Sequence, residues 1–226
     1  MDFDLTPLWI SAKTAFTATF ITFFLGIAAA WFMTVKKGRF SSILDAIFII
    51  PMVLPPTVLG FFLLIIFGKH GPVGRLLYSI GITIIFSWPA TVIAASVVAF
   101  PLMYKTAKGA FEQIDSNLLN AARTLGVSET RIFWTISIPL AWPGVAAGTV
   151  LSFTRAIGEF GATLMMAGNI PGKTQTIPIA IFFAVEGGDY NQAFLWVLII
   201  FILSLTVIIL SNYWTARGNI KGSKGG

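Results

Sequence analysis

The sequence contains no cysteine and only one histidine, His70, and these two scarcities exclude several kinds of site. Without cysteine, the chain cannot form disulfides, thiolate metal centres or a thiol nucleophile. One histidine cannot supply a multi-histidine metal site. No pair of carboxylates and no nucleophile with a neighbouring base occurs at a convincing spacing. We therefore expect no catalytic residues, no metal site and no cofactor.

Charged residues are also scarce, since they make up 11% of the 226 residues, whereas hydrophobic residues make up 56%. Soluble domains contain roughly 25% charged residues, because their surface has to face water. So few charges exclude an ordinary cytosolic enzyme, a disordered chain and a nucleic-acid-binding module. The composition instead predicts a polytopic membrane protein.

Five apolar segments are long enough to cross a membrane, which takes about 20 residues in a helix. We therefore predict an all-α protein with five transmembrane helices, which form a single domain over residues 1–226. The predicted spans are Leu8–Val35, Ile43–Phe67, Ile82–Tyr104, Trp142–Met166 and Ala193–Trp214.

The basic residues predict the orientation of these spans, because cytoplasmic loops of membrane proteins are enriched in lysine and arginine. If the N-terminus is outside, the external loops contain only Lys69, Arg75 and Lys173. We therefore expect an external N-terminus and a cytoplasmic C-terminus. The basic residues then assigned to the cytoplasm are Lys36, Lys37, Arg39, Lys105, Lys108, Arg123, Arg131, Arg217, Lys221 and Lys224.

Small residues at helical spacing predict close helix packing in two of the spans. The first span carries such a stripe from Ser11 to Ala29, and the fourth carries Gly144 and Gly148. Stripes of this kind allow two helices to approach closely. The contact can lie within one subunit or between subunits.

The second span contains the adjacent prolines Pro55 and Pro56, preceded by Pro51. Proline lacks an amide donor, so we expect a kink or a break in this helix. Broken helices at membrane depth often line a transport pathway. A kink that only shapes the bundle fits the sequence as well.

Two charged residues, Arg155 and Glu159, lie inside the fourth predicted span. With a start near Pro143, Arg155 lies about 18 Å along the helix, close to the middle of the bilayer. The i,i+4 spacing allows the two side chains to pair. A purely structural pair is one interpretation. The other is that Arg155 contributes positive potential to an oxyanion pathway.

A polar stretch from Lys105 to Ser128 separates the third and fourth spans. Asp115 and Ser116 can cap a helix, apolar residues then recur at helical spacing, and Gly126 can end it. We therefore predict a short amphipathic helix on the cytoplasmic face.

This stretch resembles the Glu-Ala-Ala signature of the permease subunits of bacterial ABC importers. Asn120-Ala121-Ala122 is followed after three residues by Gly126, and after nine more by Ile136-Ser137-Ile138-Pro139. The family pattern begins with Glu and has Leu before Pro, whereas this chain has Asn120 and Ile138. In that family the segment is a coupling helix that docks in a cleft of the ATP-binding subunit. The resemblance implies a coupling segment at about residues 117–127, with roles for Asn120, Ala121, Ala122, Arg123, Gly126, Ile136 and Pro139.

Further segments resemble the molybdate branch of this family, and some of them also resemble sulfate/thiosulfate permeases. They are Pro51–Pro56, Ala121–Gly126, Gly158–Thr163 and Asn169–Pro178. The resemblance implies a homodimeric permease of the bacterial or archaeal cytoplasmic membrane, with Arg155, Glu159, Pro55 and Pro56 as pathway candidates.

The partners implied are two ATP-binding cassette subunits, which hydrolyse the ATP, and an extracytoplasmic molybdate-binding protein. The permease itself is then a transport subunit and not an enzyme. A sulfate, thiosulfate or tungstate importer remains an alternative. An ion-coupled secondary transporter and a membrane-embedded enzyme are alternatives of other classes.

Overall fold

The computed structural model describes residues 4–35 and 39–222, with side chains described for 4–35 and 41–209. Within these residues, all regular secondary structure is helical. A π-helical turn at Phe133–Ser137 joins the two α-helices on either side of it without a break. The helices are α1 (Thr6–Val35), α2 (Arg39–Val53), α3 (Pro56–Phe67), α4 (Pro72–Ser79), α5 (Trp88–Glu112), α6 (Ser116–Thr124), α7 (Glu129–Ile132), α8 (Ile138–Ile157), α9 (Gly161–Ala167), α10 (Ile177–Glu186) and α11 (Tyr190–Gly222).

Four continuous helical segments of the described chain are long and apolar enough to cross a membrane. They are α1, α5, the segment Glu129–Ile157 and the first part of α11. The bent pair α2–α3 provides a fifth span if its two halves are taken together. The predicted class, an all-α polytopic membrane protein, is therefore confirmed.

Helices α1 and α8 both pack on α5, and the predicted stripes of small residues form these contacts. Ala15 and Ala18 of α1 are fully buried against Ala95 and Ala99 of α5. On α8, a Cβ atom at Gly144 would lie 2.5 Å from the Cβ of Ala110. The structure thus uses both stripes for packing within one subunit.

We expect the substitution Gly26→Val to destabilise the bundle. A Cβ at this position would lie 2.6 Å from Cγ of Met103 and 3.3 Å from the backbone nitrogen of Tyr104, so α1 and α5 would have to separate. Overpacking of this kind costs about 1–3 kcal/mol. Thermal unfolding in detergent micelles measures the loss. Gly109→Ala is the matched control, since a Cβ at Gly109 meets nothing within 4 Å; equal melting temperatures for the two variants would contradict the packing.

The predicted interruption of the second span lies at Leu54-Pro55. Helix α2 ends at Val53, α3 begins at Pro56, and the two are bent by 115°. Pro55 has the extended backbone conformation φ −54°, ψ 138°. Pro56 occupies the first turn of α3, where its missing N–H leaves no intrahelical bond unmade. Pro51, by contrast, lies inside α2.

The predicted boundaries of the third and fourth spans are wrong at both ends. The third span begins at Trp88 instead of Ile82, after an extended Ser87, and α5 continues to Glu112, so Lys105 and Lys108 are helical. The fourth span begins at Glu129 instead of Trp142 and ends at Ile157, before the separate helix α9.

Several basic residues used to predict the orientation lie outside the residues with described side chains: Lys36, Lys37, Arg39, Arg217, Lys221 and Lys224.

Candidate coupling surface and translocation pathway

The short helix predicted in the polar stretch is α6, and both of its ends are capped as expected. The Asp115 carboxylate accepts a hydrogen bond of 2.9 Å from the backbone N–H of Asn117. At the other end, Gly126 has φ +77°, a conformation that favours glycine. The N–H of Val127 donates to the carbonyl of Ala122 at 3.1 Å, which satisfies a carbonyl at the end of the helix.

Most of α6 and its C-terminal turn face outward. Asn120, Ala121 and Arg123 are exposed, whereas Ala122 is buried against the rest of the chain. Leu125 follows the helix and is 83% exposed. Exposed apolar residues that form a contiguous patch mark protein-interaction sites. Leu118, on the same short helix, is also exposed.

Arg123 ties α6 to α7 through a two-pronged contact with Glu129. Its Nε lies 2.6 Å from Oε1 and its Nη2 lies 3.2 Å from Oε2. The remaining nitrogen, Nη1, donates to Oδ1 of Asn120 at 3.0 Å. The hydrogen bond to Glu129 raises the pKa of Arg123 above its usual value, so the guanidinium stays charged.

Ile136 and Pro139 lie beyond α6, at the start of the long segment Glu129–Ile157. Ile136 belongs to the π-helical turn, in which the N–H of Ile138 donates to the carbonyl of Phe133. Pro139 follows directly. A proline cannot donate to the carbonyl four residues earlier and its ring crowds that carbonyl. The proline therefore accounts for the widened turn.

The sequence did not predict a polar cluster at the C-terminal end of α5. Lys108 of α5 pairs with Asp45 of α2 at 2.7 Å, and the Tyr104 hydroxyl donates to the same carboxylate. Asp45 and Lys108 line a cleft of about 700 Å³, which Asn120 and Arg123 also line. The available signal was Asp45 itself, an acidic residue inside an apolar span.

Arg155 and Glu159 form the ion pair that their spacing allows, with 2.7 Å between Nη1 and Oε2. Glu159 is buried, whereas 32% of the Arg155 side chain is exposed. The other carboxylate oxygen of Glu159 accepts a hydrogen bond of 2.8 Å from the N–H of Ala162. Glu159 therefore holds the break between α8 and α9 in a fixed geometry.

The helix start near Pro143, from which the depth of Arg155 was predicted, differs from the structure. The helical span begins at Glu129, so Arg155 lies two residues before its end at Ile157. With 1.5 Å per residue, Glu129 and Arg155 are roughly 40 Å apart along the helix. Arg155 thus lies near the end of the span opposite to α6.

The break at Pro55-Pro56, which the sequence predicted, and the break at Glu159, which it did not, meet each other in space. A Cβ at Gly161, the first residue of α9, would lie 3.1 Å from the Cβ of Pro56. One turn further along α3, a Cβ at Gly60 would lie 2.8 Å from Cα of Ala162. The structure thus brings the Pro55-Pro56 break and the Glu159 break together. The coupling residues form a separate site.

Residues 22–217 match the family described as the binding-protein-dependent transport system inner membrane component. The match covers most of the chain and includes the coupling segment and both helix breaks. The chain belongs to this family and is the permease component of an ABC importer. It is therefore a membrane transport component of a system that depends on a binding protein.

Named relatives cover nearly the whole chain. YvgM of Bacillus subtilis (strain 168), whose name assigns it to a molybdenum transport system, is 44% identical, and the match covers 90% of each chain. The molybdenum transport system permease protein ModB of Escherichia coli (strain K12) is 40% identical, over 93% of this chain and 94% of its own. A relative from Chlorokybus atmophyticus, named for sulfate transport, is 34% identical; the match covers 90% of this chain and 71% of the relative.

Solved ABC transporters share the fold at low sequence identity. A chain of an inward-facing methionine transporter superposes with a TM-score of 0.75 at 16% identity, over 95% of both chains. A chain of a bacterial alginate transporter, solved with its pentasaccharide-bound periplasmic protein, superposes with a TM-score of 0.77 at 14% identity. The superposition covers 96% of this chain and 80% of the alginate transporter chain. These likenesses concern the fold alone.

Proposed function

We propose that molybdate is the anion transported by this permease. The observation that carries the proposal is the pair of relatives named for molybdenum transport, which are 44% and 40% identical over at least 90% of this chain. The relative named for sulfate transport is less similar and is matched over only 71% of its own length. Sulfate and tungstate remain the alternatives, because both are tetrahedral dianions.

The working transporter in this proposal contains two copies of the chain. Four or five membrane-spanning helices enclose a poor pathway alone, so a homodimer of about ten supplies the pore. Two ATP-binding subunits hydrolyse the ATP, and one of them docks at residues 117–127 of each copy. The N-terminus is external and the C-terminus is cytoplasmic. A molybdate-binding protein delivers the anion at the external loops.

Transport then follows alternating access. ATP binding draws the two ATPase subunits together and opens the pore outward, and hydrolysis resets it inward. A ligand shifts such an equilibrium only by its differential affinity for the two states, so ATP has to favour one state by a few kcal/mol. The exposed face of α6 supports this assignment, because it offers Ala121 and Leu125 for close contact with a partner.

The pathway residues in this proposal are Arg155, Glu159, Pro55 and Pro56. Arg155 is partly exposed and lies beside the two helix breaks, so its guanidinium can attract an oxyanion. Glu159 holds Arg155 and the start of α9 in place. The Pro55-Pro56 break lets α3 leave the direction of α2 and pack on α9.

Uptake by the reconstituted transporter tests the substrate. We expect vesicles that contain the permease, its ATPase and its binding protein to accumulate molybdate only when ATP is present. Excess tungstate should compete, because its size and charge are close to those of molybdate, whereas excess sulfate should not. If sulfate blocks uptake and the binding protein prefers sulfate in calorimetry, the chain is a sulfate permease instead. Uptake by the permease alone, driven by an ion gradient, would support a secondary transporter.

A further inference from the structure

The contact between Arg123 and Glu129 engages the whole guanidinium group within its own chain. Two nitrogens meet both oxygens of Glu129, and the third donates to Asn120. The planar fork of arginine matches a carboxylate in this two-pronged manner and fixes its direction. Asn120 accepts this third bond without adding a negative charge that would compete with Glu129.

Stability does not explain this pair. The side chains of Arg123 and Glu129 are 41% and 48% exposed, and exposed pairs contribute little to folding, at most about 1 kcal/mol. What the pair does fix is the angle between two helices. The chain reverses between them at Gly126, where the positive φ provides the turn but no side chain that could brace it.

Among the described side chains, this is the only ion pair that joins α6 to another helix. Glu129 is the first residue of a helical segment that continues through the π-helical turn to Ile157. The same segment holds Arg155 near its far end, beside the break that Glu159 caps. A displacement of α6 can therefore reach the pathway candidates along one unbroken helix.

We propose that Arg123 and Glu129 are positioning residues that brace the coupling helix against the long helix and so transmit the movement of the ATPase to it. This inference rests on the proposed function of α6 as the coupling helix. It gives Arg123 a partner in its own chain, in place of direct contact with the ATPase. It also adds Glu129, which the sequence pattern did not single out.

Charge reversal in the reconstituted transporter tests the brace. The variants are Arg123→Glu, Glu129→Arg and the double exchange, and the readout is the amount of anion taken up per ATP hydrolysed. We expect each single reversal to lower this ratio at least about fivefold, the lower range of allosteric couplings. The double exchange should restore it to within about twofold of the wild type, because the pair is rebuilt with its charges exchanged. ATPase binding should persist in all three variants.

Arg131→Glu is the matched control, since Arg131 is an exposed arginine on the same short helix α7 and is not part of the pair. We expect it to leave the ratio unchanged. A double exchange as impaired as Arg123→Glu alone, with Glu129→Arg normal, would overturn the proposal and indicate that Arg123 contacts the ATPase. A wild-type transporter without ATP-dependent uptake would instead reject the proposed function.

Discussion

Replacing Leu125 with aspartate is expected to release the ATP-binding subunit from the permease. Leu125 is 83% exposed at the end of α6, so the free permease gains nothing by placing an apolar side chain there. Residues that anchor protein interfaces commonly contribute 2 kcal/mol or more, which corresponds to a loss of affinity of about thirtyfold or more. Copurification of the ATPase with the tagged permease, followed by a binding titration, measures the effect.

The control for this variant is Gln113→Asp, which adds the same charge at an exposed position outside the coupling segment. It should retain the ATPase. Folding of both variants is compared by their elution from a sizing column and by their melting temperatures. A well-folded Leu125→Asp permease that binds the ATPase with wild-type affinity would exclude this surface as the docking site.

The substitution Arg155→Gln is expected to destabilise the permease as well as to stop transport. Glu159 is 2% exposed, and loss of its partner would leave a buried carboxylate without a counter-charge. Removing one partner of a buried ion pair lowers the free energy of unfolding by about 3–5 kcal/mol. Because Arg155 is partly exposed, we expect a loss at or below the lower end of this range. Thermal unfolding in micelles measures the cost.

The double variant Arg155→Gln with Glu159→Gln separates the structural role from the transport role. Two neutral amides leave no unpaired charge, so we expect most of the lost stability to return. Molybdate uptake should nevertheless stay at least about tenfold below the wild type, which corresponds to about 1.4 kcal/mol of lost interaction with the anion. Normal uptake by a stable double variant would show that the pair serves only to hold α8 and α9.

Local features of the sequence were sufficient to predict the short helix α6. Asp115 caps the start of α6 and Gly126 takes a positive φ after its end, and both effects act within a few residues. The break at Pro55-Pro56 is equally local, because the missing amide donors belong to the prolines themselves. The pairing of Arg155 with Glu159 was predicted from the i,i+4 spacing, although the structure places Glu159 just beyond the end of α8 at Ile157.

Helix ends and long-range contacts could not be predicted from local features of the sequence. The fourth span was predicted to begin at Trp142, yet the helix begins at Glu129 and continues to Ile157, because backbone hydrogen bonds continue as long as nothing interrupts them. Asp45 and Lys108 are 63 residues apart and meet only because α2 packs on α5. No sequence spacing reports such a contact.

The sequence by itself determined the class of this protein. The low content of charged residues and the length of the apolar segments are properties of composition. The capped polar helix depends only on residues close to one another in the sequence. None of these features depends on how the helices pack together. Only the tertiary structure decided that the proline break and the Glu159 break touch, and that Arg123 of α6 pairs with Glu129 of α7. These contacts depend on how whole helices pack, which is set by the summed burial of many side chains and not by any single motif.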